Sequence, residues 1–279
     1  MSGEIFNKII DDVCKEKNIS YRFLSYDWIR VLTKDGKRRH IVGYNFDINS
    51  AFSKNMAADK YAMYEMLKDN QISVLEHHMI FNPKTRNELY KDSYIEEAIN
   101  KVDELGKIII KANCSDSGKD VFLCETKEEV RNTVEMLFSE RNKDTLSWQP
   151  FYNIKNEYRC VYLNGEIILV YKKEKPFIIE NGEKVYTSWK FNLSQGATSM
   201  FADENEKHYS QILDLAIKAA KTIGITFATV DIAVIDEDEL RVVEINSNVC
   251  LGLFATTVPG AYEVVKEVYG KAMDYMFEN

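Results

Sequence analysis

The chain has 279 residues, enough for two or three packed units, and 45% of them are hydrophobic, which is typical of a globular protein with a substantial core. Its formal net charge of −8 gives no electrostatic attraction to a nucleic-acid backbone, so we expect no nucleic-acid partner. We see no apolar run of about 18 residues, no secretory signal and no CxxC pair among the five cysteines, so we expect a reduced, cytoplasmic protein without a membrane span.

Apolar periodicity predicts helices and strands that are mixed along the whole chain. In chain order we expect a helix over 4–17, strands over 21–33 and 38–46, a helix over 50–67, a strand over 72–81, a helix over 92–105, strands over 107–113 and 121–124, a helix over 126–140, strands over 146–152, 157–163 and 166–173, a helix over 205–223, strands over 226–235 and 240–247, and a helix over 259–277. This pattern, rich in antiparallel hairpins, predicts an α+β fold rather than a doubly wound parallel sheet.

The predicted hairpin over 226–247 carries the most informative pattern. If residues 236–239 form its loop, Asp231 faces Glu244 across the two strands, and Asn246 follows on the same face. The same register pairs the residues nearer the loop as Ile235 with Leu240 and Ala233 with Val242. Two facing carboxylates destabilise a strand pair unless a cation or a proton compensates them. Oxygen-only ligands suit a hard cation such as Mg²⁺, so the pair can be part of a metal site. The alternative is that the two carboxylates face each other by chance at the solvent-exposed end of a hairpin.

Three cations stand at positions that suit an anionic ligand. Lys111 ends an apolar strand and precedes a small loop that contains Ser117 and Gly118, so its ammonium group and the loop amides can meet a phosphate. Lys60 stands at a helix start, and Arg159 lies in the middle of a strand, where a long cation is unusual unless it points into a cleft. Taken singly, each also fits an ordinary solvated side chain at a loop, helix or strand edge.

The order of these motifs resembles the ATP-grasp superfamily over about residues 49–253. An Asp-Lys pair at a helix start is followed by a lysine at a strand end, a Ser/Gly loop, a strand with an arginine, an Asn-x-x-x-Gly loop, and then Asp and Glu-x-Asn. The chain is most similar to the amino-acid and peptide ligases of that group: cyanophycin synthetase, the ribosomal-protein glutamate ligase and glutathione synthetase-like enzymes. The most specific segments are VVEINSN with the upstream VDIAV, then DKYAMYEML and IIIKANCSDSGKDV.

The resemblance implies that two α+β subdomains clamp ATP. Lys60 and Lys111 would hold the nucleotide phosphates, with Lys111 also near the adenine, and Ser117 and Gly118 would belong to a lid over the phosphates. In the hinge strand the family usually has a glutamate, but here Pro150 stands at about that place. Backbone groups of the neighbouring residues would then contact the adenine; these residues are Gln149 and Phe151.

The resemblance also implies where the chemistry takes place. Arg159 would steady the γ-phosphate and the acyl-phosphate transition state, and a loop facing that centre would contain Asn192 and Gly196. Two Mg²⁺ ions, for which Mn²⁺ can substitute, would bind three residues, with the second of them as the bridge; these are Asp231, Glu244 and Asn246. Cys250 follows in place of the usual Pro-Gly turn, and we interpret it as a nearby or packed thiol because acyl-phosphate chemistry needs no thiol nucleophile.

The expected organisation is a shortened N-terminal domain over 1–49, a first ATP-grasp subdomain over 50–148 and a second one over 149–279. The N-terminal domain of the family commonly helps to bind the substrate carboxylate. Here either one helix and two strands serve, or a second copy of the chain completes the site, and an exposed sheet edge there favours a homodimer.

The implied activity is that of an ADP-forming carboxylate–amine ligase acting on an amino acid or a peptide. ATP phosphorylates the carboxylate, and an amine then displaces phosphate to leave an amide. Two alternatives stay open: an ATP-grasp kinase that phosphorylates the hydroxyl of a small molecule, and a nucleotide-binding regulatory protein without turnover. No histidine falls within the matching motifs, and His77 and His78 would point to opposite faces of a strand.

Overall fold

The computed structural model describes residues 2–24, 28–85, 93–114 and 120–279. Within this part of the chain the strands form three sheets of four or five strands and one two-stranded ribbon, all paired antiparallel except for one isolated bridge. The predicted α+β class is therefore confirmed. The predicted lid residues Ser117 and Gly118 lie outside the described residues. Among the residues that are described, none of the helices is both long and apolar enough to cross a bilayer.

The N-terminal unit combines helix α1 (Ser2–Glu16) with a four-stranded sheet. The strands pair in chain order as β1 (Ser20–Leu24), β2 (Ile29–Lys34), β3 (Lys37–Val42) and β4 (Asn45–Phe46). The prediction of one continuous strand over 21–33 and of another over 38–46 was wrong, because each range contains two strands. Gly43 divides the second, because its φ is +57° and a Cβ there would lie 2.7 Å from the Trp28 ring.

The predicted helix over 50–67 is two helices, α2 (Ala51–Ala58) and α3 (Lys60–Asp69). Asp59 separates them with an extended backbone, and its Oδ1 accepts a hydrogen bond from the Ala62 amide at 2.9 Å. An aspartate that satisfies the first free amides of a helix acts as an N-cap, so the chain restarts its helix at this point. The break places Lys60 in the first turn of α3.

The remaining elements follow the predicted order with several additions. The strands are β5 (His78–Phe81), β6 (Ile108–Ala112), β7 (Val121–Cys124), β8 (Thr145–Pro150), β9 (Asn156–Leu163), β10 (Glu166–Glu174), β11 (Phe177–Glu180), β12 (Glu183–Tyr186), β13 (Thr198–Phe201), β14 (Phe227–Val234) and β15 (Leu240–Asn246). The helices are α4 (Ser93–Leu105), α5 (Lys127–Ser139), α6 (Tyr209–Ile223), α7 (Gly252–Thr257) and α8 (Ala261–Glu278). The sequence did not predict β11, β12, β13 or α7.

The central sheet has the order β13-β10-β9-β14-β15 and separates two hydrophobic cores. One face packs against α3 and α6, while the other packs against α1, α7 and α8. Asn49 fastens the N-terminal unit to β14, because its carboxamide accepts from the Thr226 and Phe227 amides and donates to the Phe227 carbonyl. The face that packs against α1, α7 and α8 therefore lies toward the N-terminal unit. The same face carries the charged residues described below.

The third sheet has the order β5-β8-β6-β7, and α4 and α5 cover one of its faces. Residues 73–75 connect it to the central sheet by running parallel to the outer edge of β15, where the Leu75 amide donates to the Val242 carbonyl at 2.9 Å. The predicted strand over 72–81 is thus shared between two sheets. Residues 76–77 lie at this crossing, next to the hinge that follows β8.

Candidate active site

The strands β14 and β15 bring Asp231 and Glu244 directly opposite each other, as predicted. The register nearer the loop differs, because Leu240 pairs with Val234 instead of Ile235, and Ala233 pairs with Arg241 instead of Val242. Two one-residue shifts cancel: a 3₁₀ turn over Asp236–Asp238 moves the pairing by one residue, and a β-bulge beside Asp231 moves it back.

The Asp231 carboxylate lies at the centre of a buried ion cluster. Arg159 holds it with two hydrogen bonds, from Nε to Oδ1 at 2.7 Å and from Nη2 to Oδ2 at 2.6 Å. Lys173 adds a third hydrogen bond, from Nζ to Oδ2 at 2.9 Å. Burial by itself raises the pKa of Asp231, but the two cations outweigh it and hold that pKa below its usual range. Asp231 is therefore ionised although only 1% of its side chain is exposed.

Two members of this cluster were not predicted from the sequence. Glu157 pairs with Lys173 across β9 and β10, and the Lys173 ammonium also donates to its carboxylate. Burial, and then the neighbouring Asp231 charge, raise the pKa of Glu157, whereas Lys173 lowers it. The sequence carries a signal for Glu157, because Glu157 and Arg159 alternate with apolar residues on β9. A strand face that carries charged residues indicates a cleft.

Glu244 and Asn246 form the more open side of the site. The Glu244 side chain is 33% exposed, and its Oε1 accepts a hydrogen bond from Asn246 Nδ2 at 2.9 Å. Arg159 Nη2 approaches the same oxygen at 3.9 Å. No cluster of three or more His, Cys, Asp or Glu side chains with metal-binding geometry is found in the described part of the chain. The predicted ligand set contains only two carboxylates and one amide, so it depends on further oxygens from a bound ligand.

Lys60 lies in the first turn of α3, and Lys111 lies on β6 of the third sheet. Lys111 Nζ donates to Gln149 Oε1 at 2.7 Å, and Lys60 Nζ donates to the Asn113 carbonyl at 3.2 Å. Burial, and then the charge of Lys60, lower the pKa of Lys111 to about 7, while Glu244 and Glu157 act in the opposite direction. The structure thus brings Lys111 close enough to Glu244 and Glu157 for their charges to interact, with Lys60 beside Lys111.

The loop after β12 carries the predicted Asn192 and Gly196. Asn192 Oδ1 accepts hydrogen bonds from the Ser194 amide and hydroxyl at 3.0 and 2.8 Å, so this oxygen shapes a 3₁₀ turn that ends at Gly196. The same loop presents Lys190, whose Nζ donates to the Val121 carbonyl at 2.9 Å, at the start of β7. Burial lowers the pKa of Lys190, and no prediction had assigned this residue a role.

The backbone of the hinge after β8 is partly hydrogen-bonded within the protein. The Phe151 amide donates to the Lys107 carbonyl at 3.3 Å, and its ring meets Trp189 edge-on with the centroids 5.7 Å apart. The Gln149 side chain holds Lys111, as described above. Pro150 ends β8 opposite Ile108. Of the two expected adenine contacts, the Phe151 amide is therefore already occupied.

The comparisons with known proteins agree with this architecture. A family model described as the RimK-like ATP-grasp domain matches residues 57–268. No curated protein matches the sequence significantly. The solved structure of D-alanyl-alanine synthetase A from Vibrio cholerae is 13% identical with a TM-score of 0.66, and the match covers 92% of this chain and 88% of that one.

Two further solved structures share the fold. The D-alanine–D-alanine ligase of Bacillus anthracis, complexed with ATP, is 14% identical with a TM-score of 0.62, and the match covers 82% of this chain and 68% of that one. The bifunctional glutathione synthetase of Pasteurella multocida is 14% identical with a TM-score of 0.59, and the match covers 96% of this chain but 44% of that one. The chain thus spans less than half the length of that synthetase. Because the family model covers most of the chain, the protein belongs to the RimK-like ATP-grasp family.

Proposed function

We propose that the protein is an ATP-dependent carboxylate–amine ligase that acts on an amino acid or a peptide and releases ADP and phosphate. The observation that carries the proposal is that Lys111, with Lys60 beside it, lies close to Glu244, which adjoins the Arg159–Asp231 ion pair. Phosphoryl transfer depends mainly on positioning and on neutralising the phosphate charge, and this arrangement supplies cations and cation ligands on two sides of one site.

The nucleotide would lie between the third sheet and the central sheet. Lys60 and Lys111 would bind its phosphates, and the lid predicted at Ser117 and Gly118 would cover them. The adenine would lie at the hinge end of β8, where the Gln149 backbone and the Phe151 carbonyl are the expected contacts. Lys190 is bonded to Val121, which follows the predicted lid in the chain, so we add Lys190 as a further phosphate ligand.

The donor set fits a hard divalent cation. Glu244 and Asn246 present oxygens at the open side of the hairpin, and Asp231 presents a carboxylate that already holds two cationic groups in this structure. These three residues would hold Mg²⁺ together with phosphate oxygens, and we propose two ions with Glu244 between them. Mg²⁺ supplies charge neutralisation to the transferring phosphoryl group and orients it for in-line attack.

Arg159 and Lys173 would bind the anionic groups that form during the reaction. In the first step a carboxylate oxygen of the substrate attacks the γ-phosphorus of ATP, and ADP leaves. In the second step the amine attacks the acyl carbon, and the bridging oxygen leaves with phosphate. Glu157 holds Lys173 in place, and the buried cluster keeps both cations at fixed positions before the substrate arrives.

The proposed activity is tested by a phosphate-release screen over pairs of amino acids and short peptides with MgATP, in which product masses are measured. A ligase releases ADP and phosphate only when both a carboxylate and an amine are present, and the product is their sum minus water. A product that retains the phosphoryl group would identify a kinase instead. MgATP binding without any turnover across the screen would favour a regulatory protein.

Replacing Lys111 with methionine is expected to weaken MgADP binding by about 10-fold or more, because the substitution removes a charged hydrogen-bond donor from the phosphates. It also removes a pH dependence. The Lys111 pKa of about 7 means that its ammonium is largely lost above neutral pH in the free protein. Phosphate binding favours the charged form, so binding takes up a proton and the wild-type affinity falls as pH rises above about 7.

Calorimetric titrations with MgADP between about pH 7 and pH 8.5, in buffers of different ionisation enthalpy, measure both effects. The matched control is Lys101→Met, which removes an exposed lysine that pairs with Glu104 on α4. A Lys111→Met protein that binds MgADP like the wild type, with the same proton uptake, would remove Lys111 from the nucleotide site.

A further inference from the structure

His77 is a buried polar residue to which no motif gives a role. It lies at the crossing between the central and third sheets, and its side chain is completely buried. Its Nδ1 lies 2.9 Å from Ser147 Oγ. Its Nε2 is buried and has no hydrogen-bond partner among the described residues. Buried polar atoms are nearly always paired, so an unpaired one indicates a partner that the described residues do not supply.

The position of His77 relative to the lysines follows from the strand register. Ser147 on β8 is the cross-strand partner of Lys111 on β6, so their side chains stand next to each other on one face. His77 is bonded to Ser147 and is therefore beside Lys111. On β8, Gln149 lies nearer the hinge and Ser147 nearer the end of β6, where Ala112 pairs with Leu146. His78 pairs with Trp148, so the His77 backbone lies level with Gln149, and the bond to Ser147 directs its imidazole along β8, away from the hinge.

The charges around His77 decide its protonation. Burial, and then the charges of Lys111 and Lys60, lower the pKa of His77 well below its usual value, so the ring is neutral at physiological pH. A neutral imidazole carries one N–H group and one lone pair. If the Ser147 hydroxyl donates to Nδ1, the proton sits on Nε2. Lys60, and Lys111 in its charged form, attract an anion to the same place.

We infer that His77 is a nucleotide-binding residue whose neutral Nε2–H donates a hydrogen bond to a phosphate oxygen of the bound nucleotide, beside Lys60 and Lys111. This inference rests on the proposed function, because it requires MgATP at that site. The His77 imidazole would be a nucleotide ligand without net charge, so the site would gain a directional hydrogen bond without a third buried cation. Ser147 then acts as the positioning residue that fixes the ring and its tautomer.

The test compares variants that keep or remove a group at the Nε2 position. His77→Gln places an amide N–H at about the place of Nε2, whereas His77→Asn reaches only the place of Nδ1, and His77→Phe removes both nitrogens. We expect His77→Phe and His77→Asn to weaken MgADP binding by about 10–100-fold, and His77→Gln to stay within a few-fold of the wild type. Adenosine binding should be unchanged in all three, because the proposed contact is to phosphate.

The matched control is His78→Gln, since His78 stacks on Trp148 with centroids 4.2 Å apart, on the other side of the sheet. Calorimetry gives the dissociation constants, and melting temperatures show whether each variant folds. Nitrogen-15 NMR of wild-type His77 gives a readout that needs no variant: we expect a neutral ring with the proton on Nε2, and a shift of that resonance when MgADP is added.

Failure of this inference and failure of the proposed function give different experimental results. A His77→Phe protein that binds MgADP as the wild type does, or a wild-type His77 resonance that MgADP leaves in place, overturns the inference while the proposed function stands. If a variant weakens adenosine binding as much as MgADP binding, Nε2 contacts the base rather than a phosphate, and the inference is also overturned. A wild-type protein that binds no MgADP overturns the proposed function first, and this inference with it.

Discussion

Replacing Arg159 with alanine is expected to lower the turnover number by about 10²–10³-fold, while the apparent KM for ATP changes much less. Loss of one preorganised donor to a developing charge commonly has an effect of this size. An interaction that strengthens in the transition state acts on kcat rather than on ground-state binding. The bidentate contact of Arg159 with Asp231 shows that its guanidinium is held in one orientation before any substrate binds.

The same substitution is expected to destabilise the protein, because Asp231 stays buried with one cation fewer. Breaking a buried ion pair costs about 3–5 kcal/mol, and we expect the lower end of that range since Lys173 remains bound to Asp231. Kinetics are therefore measured well below the melting temperature of the variant. The matched control is Lys172→Ala, which removes a cation bonded to Glu206 on the opposite face of the same sheet. Normal turnover of Arg159→Ala would make Arg159 a structural residue.

Replacing Glu244 with glutamine is expected to lower ligation by at least about 10²-fold, because a metal-bridging carboxylate positions the transferring group. The metal-free protein should keep its stability within about 1 kcal/mol of the wild type. Glu244 is partly exposed, and its contact with Arg159 is long, so the side chain contributes little to the unliganded fold. The Asn246 amide can still bond to the glutamine oxygen.

Thermal melts with and without MgADP separate the two effects. Ligand stabilisation follows affinity for the native state, so a 100-fold weaker affinity removes up to about 2.7 kcal/mol of it. The control on the same hairpin is Glu239→Gln, whose carboxylate is half-exposed and pairs with Arg241. A Glu244→Gln protein that is destabilised without ligand, yet stabilised by MgADP as much as the wild type, would contradict the metal assignment.

The sequence predicted the facing pair of Asp231 and Glu244 from an assumed loop, and the pairing is right because two one-residue shifts in the hairpin cancel. It predicted the residues nearer the loop wrongly, because neither a 3₁₀ turn nor a β-bulge has a reliable local signature. Order along the chain predicted the fold family better than any single motif did. That order is a property of topology, which survives at sequence identities of 13–14%.

Other features depend on contacts between distant segments. The break at Asp59 arises because its side chain caps α3, which competes with continuing the helix. Lys173 could have faced either side of β10 until its register with Glu157 was known. His77 acquires its significance from Ser147, 70 residues away, and no local pattern brings the two together. Such residues become visible only when the sheets are assembled.

The most direct measurement of the central claim, activation of a carboxylate by phosphorylation, is oxygen transfer during turnover. The substrate pair found in the phosphate-release screen is used with its carboxylate labelled with oxygen-18, and the released phosphate is analysed by mass spectrometry. Because the bridging oxygen of the acyl phosphate leaves with phosphorus, the account predicts one labelled oxygen in each phosphate released. Amide product formed together with phosphate that carries no label would contradict it.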